Sequence, residues 1–171
     1  MVFQPAQAQE SSELRPWDEG PLSWKEFRGK PEAHDHLHGA VTYAGIALEI
    51  ENIDFWGNIT FRAFAVFDRS QSWTREKKDL KLLAHEQLHF DIAEIYARRL
   101  EKRLNDLKLK RKDADTARRL KDKYNLQQLE IQALYDKETV HGISESVQAR
   151  WHDLVTEGLQ KLDPSYQLTA N

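Results

Sequence analysis

The sequence predicts an α+β domain in which a small antiparallel sheet is followed by one long helix and two further helices. Three observations predict it. Ile46, Leu48 and Ile50 alternate with Ala47, Glu49 and Glu51, the period of a half-buried strand. A second run, Ile59 to Phe67, is rich in aromatic and β-branched residues. Beyond Thr74 the apolar period turns helical, and neither proline nor glycine interrupts the chain as far as Leu120. Strands first and helices afterwards give segregated layers.

Each element follows from local signals. Residues 1–20 are polar, contain Pro5, Pro16 and Gly20, and read as a poorly ordered arm. Leu22-Ser23-Trp24-Lys25-Glu26-Phe27 reads as a short strand or docked turn, closed by Gly29 and Pro31. Residues 32–39 are a histidine-rich loop. The two strand runs, joined by the turn-prone segment Asn52 to Asn58, form an antiparallel pair, and a further strand can lie within the first forty residues. Thr74 is the expected N-cap of the long helix, which runs past Leu104 through Leu80, Leu83, Leu88, Ile92, Ile95 and Leu100. Ala117, Leu120, Tyr124, Ile131 and Leu134 mark a second helix. Ile143, Val147, Trp151, Val155, Leu159 and Leu162 mark a third, ending before Pro164. A single domain over 21–165, with a tail at 166–171, suits a chain of 171 residues.

Composition narrows the chemistry. A formal charge of −3 gives no reason to expect nucleic acid or an anionic membrane as partner. The basic residues between Lys102 and Lys123 are interleaved with Asp106, Asp113, Asp115 and Asp122, as on a solvated helix face. No apolar run has the length of an integral membrane segment. With no cysteine, thiolate zinc sites, disulfides and thiol catalysis are excluded. Ala6-Gln7-Ala8 has the small-x-small form of a signal-peptidase site, without an apolar stretch before it.

The chemistry concentrates in His85-Glu86-Gln87-Leu88-His89. Residues four apart share a helix face, so His85 and His89 can bind one metal, while Glu86 is placed to reach a water beside it. With seven histidines in 171 residues, chance predicts on the order of 0.02 such patterns. Without a metal, the two would be partly exposed helix histidines. A catalytic zinc takes three protein ligands and leaves one position open. His141, in the polar knot Tyr135 to Gly142 between two helices, is the first choice for the third ligand, with Glu138 and Asp136 behind it. Asp91 turns away from the shared face, and Glu94 reads as a surface ion pair with Arg98. The only methionine is Met1, which excludes a Met-turn and so a metzincin.

The expected mechanism has Glu86 as general base toward a peptide or protein substrate, with one Zn²⁺ per chain. Tyr135 is the candidate oxyanion donor, with His152 behind it; a core aromatic at a helix end is the plainer reading of Tyr135. His34, His36 and His38 form a second cluster, either a metal site or a flexible exposed loop.

Residues His85 to Arg98, beginning HEQLHFDI, resemble the bacterial secreted zinc-dependent proteases grouped as domain of unknown function 922. Leu22 to Gly29 and the segment Tyr135-Asp136 … Thr139-Val140-His141-Gly142 carry the same resemblance, which spans roughly residues 20 to 160. It implies a zincin-like fold, a secreted or periplasmic protein and His141 as ligand. A non-enzymatic protein in which zinc only pins helices is the alternative, and a fourth protein ligand would favour it. A hydrolase of another amide, for example in the cell wall, is the alternative enzyme.

Overall fold

The computed structural model describes residues 13–31, 33–35 and 38–163. Its strands are β1 (Leu14–Pro16), β2 (Ala40–Val41), β3 (Ala44–Ile53), β4 (Ile59–Asp68) and β5 (Trp73–Thr74), and its helices are α1 (Leu80–Asp106), α2 (Ala114–Thr139) and α3 (Glu145–Leu162). The architecture is α+β, with a three-stranded antiparallel sheet in the order β1-β4-β3 and a two-stranded ribbon of β2 and β5.

β4 alternates strictly: Ile59, Phe61, Ala63, Ala65 and Phe67 are buried, and their opposite neighbours are not. That period turns one face of the sheet onto α1, where Ala97, Leu100 and Leu104 meet Ile46, Ile59 and Phe61. Nearer the start of α1, Phe90 and Ala93 pack with Ala65, Phe67, Trp24 and Phe27. On its far side Leu88, Ile92 and Ile95 meet Tyr135, Trp151, Val155 and Leu159 of α2 and α3. α1 is therefore the central element, covered by sheet on one side and helices on the other.

β1 is short and leaves part of β4's edge without a strand partner. Side chains of α1 fill that role. Asn105, Glu101 and Glu94 accept from the backbone N–H groups of Phe61, Ala63 and Ala65 at 2.8, 2.7 and 2.8 Å. Glu94 does pair with Arg98 at 2.8 Å, but it is not a surface residue: it is buried and holds a strand in place.

Two expectations are corrected. The start of the domain lies earlier than residue 21, because 14–16 form β1 and Arg15 is buried with its guanidinium 2.6 Å from Glu26. Trp24–Glu26 then make one 3-10 turn with Trp24 and Phe27 inside, the docked turn of the two options. Thr74 does not cap α1. It pairs with Ala40 in the ribbon and exchanges hydrogen bonds with Glu76, while Asp79 caps the helix by accepting from Lys81 and Leu82. Residues 1–12, Ala6-Gln7-Ala8 among them, and 164–171 lie outside the described residues, as do Glu32 and His36.

Candidate metal centre

His85, Glu86 and His89 lie early on α1, and all three are buried. Their helix face meets the end of α2, where residues 135–139, the first part of the expected knot, are the last helical turn. The side chain that arrives between the two imidazoles is Asp136. Its Oδ1 lies 3.0 Å from His85 Nε2 and 3.0 Å from His89 Nε2. Two ligands of one tetrahedral zinc, each about 2.0–2.1 Å from the ion, stand about 3.3 Å apart, close to these separations. Among the described residues, His85, His89 and Asp136 form the one group of three side chains whose ligand atoms lie within 4.8 Å of one another.

The donors around His85 suit a cation at that point. Gln148 Oε1 accepts from the Tyr135 hydroxyl at 2.8 Å and faces His85 Nδ1 at 3.1 Å. An oxygen acceptor on Nδ1 puts the ring's proton there and leaves a lone pair on Nε2, aimed at a carboxylate oxygen. A metal ion between that nitrogen and the carboxylate would satisfy both. For Asp136, burial favours the neutral acid, yet the contacts with His85 and His89 outweigh it and hold the carboxyl well below the usual range. For His89, burial opposes the charged ring, but Asp136 and the charge of Glu86 raise its pKa.

Glu86 has one carboxylate oxygen, Oε2, that is buried and without a hydrogen-bond partner among the described residues. It lines a cavity of about 610 Å³ together with His85, His89, Asp136, His38 and Tyr43. The floor is α1, and the opposite wall is the segment from His38 to Tyr43, fastened by a Thr42 hydroxyl that donates to the Glu86 carbonyl at 3.3 Å.

The turn after α2 explains its own sequence. Val140, His141 and Gly142 all have positive φ, at 53, 52 and 84°. Thr139 anchors the turn, donating to the Tyr135 carbonyl at 2.7 Å and accepting from Gly142 N. Gly142 satisfies two demands: a left-handed backbone, and a place where a Cβ would stand 3.0 Å from His85 Cγ. A β-branched residue in that region, as at Val140, is held there by the surrounding bonds.

The predicted ligands divide. His85 and His89 meet as expected. Asp136, ranked behind His141, is the carboxylate placed between them. His141 stands at the cavity rim, half-exposed, with Nδ1 3.8 Å from Asp136 Oδ1. Glu138 points elsewhere, accepting from Trp151 Nε1 at 2.8 Å and from Arg150.

Tyr135 does not face the cavity as an oxyanion donor. It is fully buried, its ring stacks on His85 at 4.6 Å, and its hydroxyl is engaged by Gln148, so it positions His85 from behind. Burial pushes its hydroxyl pKa up. His152 is exposed on α3 beside Asp153. Of the histidine cluster, His38 reaches the cavity, where Asp35 holds its Nδ1 at 2.8 Å and its ring meets that of His141 at 4.7 Å.

Sequence reasoning missed Gln148 and Gln132, the latter donating to the His89 carbonyl at 3.3 Å. A signal for Gln132 was present: Gln128, Gln132, Tyr135 and Thr139, the buried positions in the second half of α2, recur at helical spacing.

Residues 65–142 match the family model described as a bacterial protein of unknown function, DUF922. That match supports the family assignment suggested by the sequence. It runs from the middle of β4 through α1 and α2 to Gly142, and so contains His85, Glu86, His89, Asp136 and His141. Gln148 and the wall formed by residues 38–43 lie outside the DUF922 match. No curated protein and no solved structure matches the chain.

Proposed function

We propose that this protein is a zinc-dependent metallopeptidase of zincin-like design. The observation that carries the reading is the meeting of His85 and His89 on Asp136 beside a buried Glu86 oxygen that lacks a partner among the described residues. His85, His89 and Asp136 would hold the metal, and His141 is the second candidate for the third position. A zinc ion there would polarise the scissile carbonyl and lower the pKa of a water toward about 7.

The chain's own residues supply the rest. Glu86 takes the proton of the attacking water and passes it to the leaving amine, so the same carboxylate serves as base and then acid. Tyr135 and Gln148 fix the plane and tautomer of His85. The segment 38–43 walls the cavity and limits how a peptide can enter. Secretion or a periplasmic location belongs to the same proposal and rests on the family resemblance.

Zinc per chain, measured by elemental mass spectrometry, tests the site. About one zinc in the wild type, a large loss in Asp136→Ala and a small one in His141→Ala is the expected result. The reverse order would give the third position to His141. Wild type without zinc after reconstitution would remove the reading altogether. Glu86→Gln should keep its zinc and lose hydrolysis of an unfolded protein substrate; equal rates would remove Glu86 as the base.

A further inference from the structure

We propose a second functional surface at the far end of α1: an aromatic tip with a basic collar that docks on an anionic lipid bilayer. The tip is the turn between β3 and β4. Phe55 is 95% exposed and Trp56 73%. These large rings stand in water on a turn that is internally fixed. Asp54 accepts from the backbone N–H and the side-chain amide of Asn58, both at 2.8 Å, and Gly57 takes a φ of 81°. The two rings meet edge to face at 6.0 Å. Exposed aromatics held on a rigid convex turn are already arranged for insertion, because little order has to be gained on binding.

The collar is the link between α1 and α2. Lys108, Lys110, Arg111 and Lys112 are all exposed, and no ion pair engages them among the described residues. The Leu109 carbonyl accepts from Ile59 N at 2.8 Å, which pins the link beside the turn, and Trp56 and Lys108 line the same hollow. Of the acidic groups nearby, Asp106 is paired with Lys102, Asp113 accepts from the backbone N–H of Lys110, and Asp54 accepts from Asn58 and feels the charge of Lys110, so the link keeps a net positive charge. The link beside the aromatic turn thus carries four exposed cations on a protein whose formal charge is −3. The local arrangement reverses what the overall charge suggests about anionic membranes.

Charge and shape select the occupant. Tryptophan rings settle at the headgroup level of a bilayer, and each cation near an anionic leaflet strengthens attachment about fivefold. Two adjacent rings that stand in water beside exposed cations can enter a deformable anionic surface without rearrangement of the turn. From His89 to Asp106, α1 rises about 25 Å, so docking here leaves the metal cavity free. The inference does not depend on the reading of that cavity.

Co-sedimentation of the full chain with vesicles tests it. Wild type should pellet with vesicles containing phosphatidylglycerol, not with pure phosphatidylcholine, and added salt should release it. Phe55→Ser/Trp56→Ser should abolish pelleting, and neutralising the four cations to Gln should weaken it more than a hundredfold. Both variants change exposed positions, and unchanged circular dichroism would confirm their folds. Absence of wild-type binding to the anionic vesicles, equal binding to neutral ones, or full binding by the aromatic variant would each overturn the proposal. So would a dimer in sedimentation velocity that the aromatic variant loses, since a second copy would then be what covers the tip.

Discussion

Replacing Asp91 by Asn should stabilise the protein at neutral pH and leave it nearly unchanged in mild acid. Asp91 is buried on α1, and its Oδ1 accepts from Trp17 Nε1 and from Gln87 Nε2, each at 2.8 Å. Burial raises its pKa from 3.8 to about 6, against the lowering effect of those two bonds. A raised acid pKa means that the folded state holds its proton over a window where the unfolded chain has lost it. Stability from this group is therefore present below about pH 4 and declines as the pH rises through about 6. Each pKa unit is worth about 1.4 kcal/mol, so the ionised carboxylate costs about 3 kcal/mol at neutral pH. An amide oxygen can accept both existing bonds and carries no charge. Denaturant unfolding of metal-free wild type and Asp91→Asn would measure this. The difference should grow by about 3 kcal/mol between about pH 4 and pH 7.5, equivalent to about 6–12 °C in Tm. A difference independent of pH, or a variant less stable at neutral pH, would refute the argument that burial dominates this carboxyl.

Two further outcomes follow from the proposed metal centre. Gln148→Leu removes the acceptor on His85 Nδ1 and frees the ring to turn; zinc affinity in a competition titration should fall about 10–100-fold while the fold remains. Gly142→Ala places a methyl group 3.0 Å from His85 Cγ at a φ of 84°, and should cost about 1–3 kcal/mol in denaturant unfolding together with weaker zinc binding.

Periodicity made the layers legible, and interactions between distant residues made the details illegible. The alternation around Ile46 to Ile50 and from Ile59 to Phe67 is decided within each strand, so both were found along with their antiparallel pairing. β1 was hidden because its three residues carry too few side chains to show a period, and its Arg15 reads as polar until Glu26 is placed beside it. Glu94 and Glu101 likewise read as surface charges. Only the open edge of β4 shows that they serve as hydrogen-bond acceptors for a strand. The N-cap was misplaced for a similar reason. Thr74 and Asp79 have equally suitable side chains, and pairing with Ala40 takes Thr74 out of the choice.

The candidate metal centre divides along the same line. Helical spacing alone brings His85 and His89 together, whereas the third side chain depends on how α2 crosses α1. Ranking His141 first used the affinity of imidazole for zinc and treated Tyr135 to Gly142 as a loop. Yet the chain offers no glycine or proline between Thr74 and Gly142, so α2 could be followed to Thr139. On that helix Asp136 lies four residues beyond Gln132, on the side of α2 that meets α1, and His141 falls past the last turn. Helix phase therefore favours Asp136, and ligand chemistry favours His141. Where the two disagree, phase decides which side chain stands between the imidazoles, and His141 is left beside it with Nδ1 3.8 Å from Asp136 Oδ1. Asp136, with Oδ1 3.0 Å from both imidazoles, is the side chain the backbone places there.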